Sequence, residues 1–239
     1  MALVDAVPFA VAHWTLDEAS GTRSDSVGSS DLTDNNTVNV DTGVIGNAAD
    51  FTAANQEYLS VADNADVSSG DILFMIRFLV RFKTLSGVQA IVGKWTNSLD
   101  YLVYANGTSI VFTCNDGVPA PTITSLSTDT WYLVHVWHDP VANQIGISVN
   151  AGTPATHSIS VGIQDSTDEF RVGLAVTANA QYLNGYVDDL VILKGYILDS
   201  TERTEDYNSG SPVAFADWDA VGGAALFPIL SGIFPGRMI

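Results

Sequence analysis

The sequence has a single cysteine, few basic side chains and no long apolar run. Cys114 is the only thiol among 239 residues, so neither an internal disulfide nor a cysteine-based metal cluster is expected. The longest apolar stretch, residues 224–234, is interrupted by Pro228 and is shorter than the roughly 18 residues of a membrane-spanning helix. The amino terminus reaches Asp5 before any apolar stretch of signal-peptide length. We therefore expect a soluble protein, and we expect no standard export signal in this sequence.

Basic residues are scarce throughout the chain. Nine Lys and Arg stand against 27 Asp and Glu, which gives a formal net charge of -18. Nucleic-acid binding depends on Lys and Arg that displace counterions from phosphates. The acidic surface therefore excludes DNA, RNA and anionic membranes as partners, and it favours cations.

The sequence patterns of common nucleophile and phosphate sites are also missing. The chain has no Gly-x-Ser-x-Gly elbow, and Cys114 has no flanking residues typical of a nucleophile. Residues 87–94 (GVQAIVGK) come near a phosphate loop, but they contain one residue too many and are followed by Trp95 instead of Ser or Thr. These absences predict a protein that is not an enzyme of these classes.

The chain does contain many short strand-forming runs, separated by Gly, Asn, Asp and Ser clusters. Residues 74–83 alternate an apolar face with a mixed face, with the period of two of a half-buried strand. Residues 131–139 and 144–150 predict a hairpin around a polar turn. Further strands are predicted at residues 170–176 and 186–193. This pattern predicts an all-β fold, a two-sheet antiparallel β-sandwich or jelly roll.

The composition of the chain changes after Gly210. We predict one sandwich domain over residues 1–210, because all-β domains of about 200–250 residues commonly form a single core. Residues 211–239 carry only three charged side chains and form a predicted apolar C-terminal arm. The arm either packs back along its own sandwich or docks on another subunit, since an exposed apolar stretch of this size favours a partner.

Motifs along the predicted sandwich follow a recognisable order. They are residues 13–21 (HWTLDEASG), 25–28 (DSVG), 43–51 (GVIGNAADF), 58–61 (YLSV), 131–139 (WYLVHVWHD), 147–152 (ISVNAG), 170–173 (FRVG), 184–192 (NGYVDDLVI) and 198–203 (LDSTER). Over residues 10–210 they resemble laminin G-like jelly-roll domains of the concanavalin A-like lectin/glucanase superfamily. That superfamily includes sugar-binding modules, adhesion domains, polysaccharide hydrolases and virion surface proteins, so the fold does not name the function.

The resemblance argues against polysaccharide hydrolysis. Hydrolases of the superfamily place their paired carboxylates in a Glu-x-Asp-x-x-Glu stretch, and none of the five glutamates of this chain forms it. We interpret Glu202 and Glu205 as the solvated face of a short helical turn. The chain is therefore expected to be non-enzymatic.

The resemblance implies a structural calcium ion. In the glucanase relatives, an aspartate of the closing Val-Asp-x-Val strand holds calcium together with backbone oxygens of an early loop. By resemblance, Asp188 is the carried ligand, Gly46 a candidate carbonyl and Glu18 an addition from the opening strand. Calcium takes carboxylate, amide and carbonyl oxygens, which this acidic chain supplies. The alternative role for Asp188 is to cap backbone N–H donors. A second oxygen-rich segment, residues 63–71, does not match the pattern of an EF-hand loop.

Histidine and aromatic residues form two further candidate groups. His135 and His138 are three residues apart on a predicted strand and hence on opposite faces, which disfavours a shared zinc ion. We expect His135 to be a hydrogen-bonded core or groove residue. Trp95, Tyr101 and Tyr104 lie near predicted loops or on the concave sheet, where aromatic rings stack on sugar faces. A buried core position is the alternative for each of them.

Two non-enzymatic functions are compatible with these observations. The first is a virion surface component, such as a phage capsid decoration or tail-associated protein, whose arm binds capsid or tail subunits in an oligomer. The second is a secreted, calcium-stabilised carbohydrate-binding or adhesion module that recognises surface glycans. The arm discriminates between them, because an anchor is required for assembly and dispensable for folding.

Overall fold

The regular secondary structure of the chain consists mainly of β-strands, which confirms the all-β prediction. The computed structural model describes residues 2–96, 99–115, 120–176 and 180–221. Its strands are β1 (Ala10–Trp14), β2 (Thr33–Asn35), β3 (Asn39–Thr42), β4 (Asn47–Phe51), β5 (Tyr58–Val61), β6 (Phe74–Phe82), β7 (Val88–Trp95), β8 (Leu99–Asn106), β9 (Ser109–Cys114), β10 (Thr122–Thr124), β11 (Trp131–Asp139), β12 (Gln144–Val149), β13 (Ala155–Ser158), β14 (Phe170–Val172), β15 (Leu174–Val176), β16 (Ala180–Tyr182) and β17 (Gly185–Lys194). The helices are α1 (Ser200–Tyr207) and 3-10 turns at Leu3–Asp5, Val7–Phe9, Ala53–Asn55, Asn208–Gly210 and Phe215–Asp217.

Two antiparallel sheets pack face to face as the predicted sandwich. The eight-stranded sheet has the order β13-β12-β11-β6-β17-β4-β3, and β1 pairs with the later part of β17. The seven-stranded sheet has the order β10-β9-β8-β7-β14-β5-β2. A separate hairpin of β15 and β16 lies against β7. The predicted hairpin of β11 and β12 is confirmed by its pairing.

The main core lies between the two sheets and follows the period of two in the sequence. The inward residues of β6 are Phe74, Ile76, Phe78, Val80 and Phe82. From the facing sheet, Val103 and Phe112 enter the same cluster. Each large apolar side chain buried in this way contributes about 1.5–3 kcal/mol to the free energy of unfolding.

A second apolar cluster lies on the outer face of the eight-stranded sheet. Its buried members are Leu3, Ala6, Met75, Trp137, Val191, Leu193, Leu198, Phe215 and Trp218. The amino-terminal turns, α1 and the turn at Phe215–Asp217 therefore lie on this face. The prediction of a half-buried β6 is wrong, because every residue of the strand except Arg81 is buried.

The helix α1 begins with a capping box. Asp199 accepts hydrogen bonds from the backbone of Thr201 (2.8 Å) and Glu202 (2.9 Å), and Glu202 accepts one from the backbone of Asp199 (2.7 Å). Glu202 is buried and also accepts a hydrogen bond from the Tyr196 hydroxyl. The predicted helical turn is confirmed, but the predicted solvated position of Glu202 is wrong, because the cap and Tyr196 hold its carboxylate inside.

Residues 211–221 turn back along the eight-stranded sheet. The Val213 N–H donates to the Asp206 carbonyl (2.9 Å), and Phe215 and Trp218 are buried. Residues 222–239, the remainder of the predicted arm, lie outside the described residues, so docking of the arm on another subunit stays a prediction. Within the described part of the chain, no helix is long and apolar enough to cross a membrane.

Candidate functional site

Aromatic and polar side chains form a cavity on the outer face of the seven-stranded sheet. Trp95 from β7 and Leu102 and Tyr104 from β8 line about 220 Å³ of space. Leu102 and Tyr104 share this face because they are two residues apart on one strand. The other lining residues are Val88, Asn106, Thr113 and Gln181. The cavity thus combines aromatic rings with hydroxyl and amide groups.

One polar group of this cavity has no partner. Thr113, on β9, is 4% exposed, and its Oγ1 makes no hydrogen bond within the described residues. A buried hydroxyl without a partner costs free energy unless water or a ligand satisfies it. Burial raises the pKa of the Tyr104 hydroxyl, which therefore stays uncharged. The cavity offers neutral hydrogen-bonding groups to an occupant.

A larger cavity of about 500 Å³ shares Val88 and Gln181 with the first. Its other lining residues are Thr52, Ala53, Ala54, Thr84, Ser86, Gln89, Ala180, Tyr182 and Asn184. The Gln89 amide fixes one wall, because it donates to the Thr84 carbonyl (2.8 Å) and accepts from the Asn184 N–H (2.8 Å). We call the two cavities together the β7–β8 groove. All of its lining residues are uncharged.

Two of the three aromatic residues proposed from the sequence lie in the β7–β8 groove. Trp95 and Tyr104 line it, whereas Tyr101 is buried in the core and donates its hydroxyl hydrogen to the Val67 carbonyl (2.9 Å). Successive side chains of a β-strand point to opposite faces of the sheet. Tyr101 and Tyr104 are three residues apart on β8 and therefore lie on opposite faces. Sequence reasoning misses Thr113, because an unpaired hydroxyl is visible only in three dimensions.

The predicted calcium residues Asp188 and Gly46 lie at the same short loop. Asp188 Oδ2 accepts hydrogen bonds from the N–H groups of Val44 (2.7 Å) and Ile45 (3.0 Å). The Gly46 carbonyl accepts one from the Gly43 N–H (3.1 Å). Asp188 Oδ1 is buried and has no hydrogen-bond partner among the described residues, and burial raises the pKa of this carboxyl to about 7. Asp188 therefore caps backbone donors with one oxygen and has the other oxygen free.

Glu18, the third predicted ligand, makes its contact elsewhere in the amino-terminal region. Its Oε1 accepts a hydrogen bond from the backbone N–H of Ser24 (2.7 Å). Its Oε2 is buried and has no partner in the described part of the chain. The neighbouring Asp17 reaches the Gly46 loop instead and accepts the Asn47 N–H (2.5 Å). No group of three or more His, Cys, Asp or Glu among the described side chains could hold a metal ion. Calcium binding would depend on carbonyl and water oxygens beside the carboxylate, and it stays a prediction.

The second oxygen-rich segment, residues 63–71, is held by two lysines. Lys94 is buried and donates to Asp63 Oδ1 (2.6 Å). Lys194 donates to backbone carbonyls of the segment, including that of Ala65. The two lysine ammonium groups therefore take the place that a metal cation would have beside these oxygens.

Buried charges lie beneath α1, away from the β7–β8 groove. Arg77 donates to Asp189 and to Asp206 Oδ1 (3.0 Å), and all three residues are buried. Asp189 also contacts His13 Nε2 (2.7 Å), and Asp206 contacts His135 Nε2 (2.7 Å). Burial by itself raises the pKa of each aspartate, but Arg77 and the histidines hold both pKa values below the usual range. The expected hydrogen-bonded position of His135 is confirmed.

Comparison with known protein families identifies relatives of this sandwich. A family described as Clostridium neurotoxin, N-terminal receptor binding, matches residues 20–197. The chain belongs to this family. The description of the family names receptor binding and no catalytic activity, which is consistent with the expectation of a non-enzymatic chain. No curated protein matched the sequence.

Solved binding domains of clostridial toxins share the fold. The binding domain of Paraclostridial Mosquitocidal Protein 1 has a TM-score of 0.68 at 15% identity, covering 87% of this chain and 53% of that one. A structure of botulinum neurotoxin type C has a TM-score of 0.68 at 14% identity, covering 87% of this chain and 53% of that one. Its description states that cell entry of that toxin depends on interaction with two ganglioside molecules. The botulinum neurotoxin DC binding domain in complex with rat synaptotagmin II has a TM-score of 0.62 at 15% identity, with 85% and 52% covered. The chain spans about half the length of these structures.

The family narrows the expectations drawn from the sequence. A β-sandwich of the binding-domain type is confirmed, whereas membership of the laminin G-like or concanavalin A-like group specifically is not. The receptor-binding description gives no support to a virion surface component or to capsid and tail partners.

Proposed function

We propose that this chain is a non-catalytic, extracellular receptor-binding domain that holds an uncharged glycan segment in the β7–β8 groove. The observation that carries the proposal is the combination of Trp95 and Tyr104 with the unpartnered Oγ1 of Thr113. Aromatic rings stack on the apolar faces of sugars, and a few placed polar groups fix the orientation of a ligand. A sugar hydroxyl would satisfy Thr113 while its ring packs on Tyr104.

The charge distribution supports an uncharged ligand at this groove. Its lining residues carry no charge, while the whole chain carries -18. Such a chain repels anions within about one Debye length, ~8 Å at physiological ionic strength. Asn106 and Gln181 provide amide groups that donate and accept hydrogen bonds. Neutral sugar rings therefore suit the groove better than acidic ones.

The family supports recognition of a receptor as the class of function. Of its solved relatives, one is described as interacting with two ganglioside molecules and another as a complex with rat synaptotagmin II. Because this chain spans about half of their length, the proposal for this chain depends on its own groove.

We test the glycan proposal by screening the full chain against an array of uncharged oligosaccharides and measuring the affinity of the best by calorimetry. Tyr104→Ala removes the stacking surface and should weaken binding about tenfold. Thr113→Val replaces the unpartnered hydroxyl by a methyl group of similar size, and it should weaken binding about fivefold while the melting temperature stays equal or rises.

The control for this experiment is Tyr58→Ala on β5, which removes a partly buried tyrosine that does not line the groove. It should leave glycan affinity unchanged. Binding that survives both Tyr104→Ala and Thr113→Val, or an array on which no uncharged glycan binds, would refute the proposal.

We also propose that Asp188 takes part in a structural calcium site. Calcium added to chelator-treated protein should raise the melting temperature of the parent chain. Asp188→Asn keeps an oxygen that can accept the N–H groups of Val44 and Ile45 but lacks the negative charge that calcium prefers. Its melting temperature should not respond to calcium. An equal response of both chains would place the ion elsewhere, and the absence of a response in the parent would remove the site.

A further inference from the structure

Lys94 is a fully buried lysine near the end of β7, and three carboxylates lie close to its ammonium group. Its Nζ donates hydrogen bonds to Asp63 Oδ1 (2.6 Å) and to the Ser166 carbonyl (2.7 Å). Asp100 Oδ2 lies 3.6 Å and Asp165 Oδ1 lies 3.7 Å from Nζ. The side chains of Lys94 and Asp100 are completely buried, whereas that of Asp63 is 27% exposed. We call Lys94, Asp63 and Asp100 the Lys94 cluster.

Asp100 has one carboxylate oxygen fixed and the other unused. Its Oδ2 accepts hydrogen bonds from the backbone N–H of Ser166 (2.9 Å) and from the Ser166 hydroxyl (2.7 Å). Its Oδ1 is buried and has no hydrogen-bond partner in the described ranges. A buried carboxylate oxygen that has lost its water without gaining a donor is an effective proton acceptor. Asp100 is therefore a base held beside the ammonium of Lys94.

The surroundings of Lys94 differ from those of an ion pair at the surface. Lys83 also donates to an aspartate, Asp50, but these two side chains are 25% and 20% exposed. In the described part of the chain, Lys83 has no second carboxylate as an ion-pair partner. A lysine amine reacts as a nucleophile only in its neutral form, which burial favours and contact with water opposes. Lys94 therefore has the setting of a reactive lysine, and Lys83 does not.

Asp63 is ionised in the resting form of the Lys94 cluster. Burial by itself raises the pKa of its carboxyl, but hydrogen bonds from Lys94 and Ser68 hold that pKa below its usual range. The neutral amine and the neutral acid are therefore a minor form, reached when the shared proton moves from Nζ to Oδ1. A reaction through this form is slow, and it needs to occur only once in the lifetime of the chain.

The hydrogen bond between Lys94 and Asp63 also brings the two reacting atoms together. Because Oδ1 is bonded to Cγ, the contact of 2.6 Å holds Nζ beside this carbon. Groups held in a reacting geometry have effective concentrations of about 10⁵–10⁸ M, which exceed the concentration of liquid water. Formation of an amide with release of water is therefore favoured here, although it is unfavourable between free molecules in solution.

We propose that the Lys94 cluster forms an intramolecular amide bond between Lys94 Nζ and Asp63 Cγ, with Asp100 as the proton acceptor. The shared proton first moves to Asp63, which gives an amine and a carboxylic acid. Nζ then bonds to Cγ and passes a second proton to Asp100. The bond from Cγ to the hydroxyl oxygen breaks, and the hydroxyl leaves as water with the proton from Asp100. No oxidant, reductant or further reactant is needed for this balance.

The amide bond joins the connection between β5 and β6 to β7, across 31 positions of the sequence. Cys114 is the only thiol, so no internal disulfide can supply such a link. A covalent link that closes a loop of this length restricts the unfolded chain, and it should raise the melting temperature by about 10 °C. One cation and one anion disappear together, so the net charge is unchanged and the mass reveals the reaction.

Mass spectrometry of the intact full chain tests this proposal. Freshly purified protein is compared with protein incubated for several days near neutral pH. The incubated mass should be lower than that of the sequence by one water molecule, and a protease digest should yield a branched peptide that joins Lys94 to Asp63. No branched peptide should join Lys83 to Asp50. Protein kept unfolded in guanidinium chloride should not react, because the reacting geometry exists only in the folded chain.

Three variants identify the residues that react. Asp63→Ala, at a partly exposed loop residue, should abolish the loss of water. Asp100→Asn keeps an oxygen for the hydrogen bonds from Ser166 but lacks the proton acceptor, and it should slow the loss of water about a hundredfold. Asp165→Asn is the matched control, because it removes the same charge at nearly the same distance from Nζ but from a side chain that is 51% exposed. It should leave the rate unchanged.

Circular dichroism verifies the fold of each variant, and the branched peptide of the parent chain needs no variant. The proposal is overturned if the incubated parent keeps the mass of its sequence, or if water is lost without a peptide that joins Lys94 to Asp63. Equal slowing by Asp100→Asn and Asp165→Asn would overturn the role of Asp100. Glycan binding in the β7–β8 groove is independent of each of these results.

Discussion

Arg77 joins parts of the chain that are far apart in sequence. Its guanidinium donates to Asp189 on β17, to Asp206 on α1 and to the Val213 carbonyl (2.9 Å), and it lies 5.9 Å from the ring centroid of Trp218. These partners compensate a positive charge that is completely buried. The same residue therefore fixes both α1 and the segment after it on the eight-stranded sheet.

Replacing Arg77 tests this role. Arg77→Ala leaves two aspartates buried without their cation, and it should lower the free energy of unfolding by about 3–5 kcal/mol. Urea denaturation measures the loss. Arg171→Ala, which removes a more exposed arginine paired with Glu169, should cost less than about 1 kcal/mol. Similar losses in the two variants would contradict a structural role for the buried network.

His135 makes the stability of this network depend on pH. Burial lowers the pKa of its imidazole despite the contact with Asp206. As pH falls below about 6.5, the unfolded chain binds a proton at this residue before the folded chain does, so the free energy of unfolding decreases. His135→Gln should reduce this loss, which has a limiting slope of about 1.4 kcal/mol per pH unit for one proton.

Thermal melting between pH 7.5 and pH 5 measures the effect of His135→Gln, with His157→Gln on β13 as the control for replacing a histidine elsewhere. A steeper acid loss of stability in His135→Gln than in the parent chain would show that the sign of this account is wrong.

The strands and the short helical turn of α1 were predictable from the sequence, whereas the position of α1 on the sheet was not. The alternation in residues 74–83 predicts β6, but only the structure shows α1 and Trp218 lying on its outer face. The predicted strand at 170–176 is divided at Gly173, whose positive φ of 88° suits glycine. Long-range packing determines both the covering of β6 and the division of the strand at Gly173. The local periodicity of the sequence contains no information about such packing.

Trp218 anchors the segment that follows α1. It is completely buried, and its ring lies 5.2 Å from that of Phe215. Trp218→Ala should lower the free energy of unfolding by about 3–5 kcal/mol because it leaves a cavity beside Arg77. Trp218→Phe should cost less, since the Trp218 Nε1 has no hydrogen-bond partner among the described residues and its removal breaks no bond. Urea denaturation compares the variants, and equal stability of parent and Trp218→Ala would contradict this packing.

At the scale of the whole molecule, the β7–β8 groove is distinguished by its lack of charge. All of its lining residues are uncharged, whereas the whole chain carries a formal net charge of -18. The sequence predicted Trp95, Tyr101 and Tyr104 as aromatic candidates, because aromatic rings can stack on sugar faces. Trp95 and Tyr104 line the groove, whereas Tyr101 lies in the core. It could not identify Thr113, because the availability of its hydroxyl depends on hydrogen bonds that only the folded chain displays.

The most direct test of the β7–β8 groove as a ligand site is a nuclear magnetic resonance titration of the full chain. Backbone amide shifts are followed while the best-binding uncharged oligosaccharide is added. We expect the largest shifts at Tyr104, Thr113 and Gln181, and a weaker response in Thr113→Val. Shifts confined to the outer face of the eight-stranded sheet, or none at saturating glycan, would contradict this expectation.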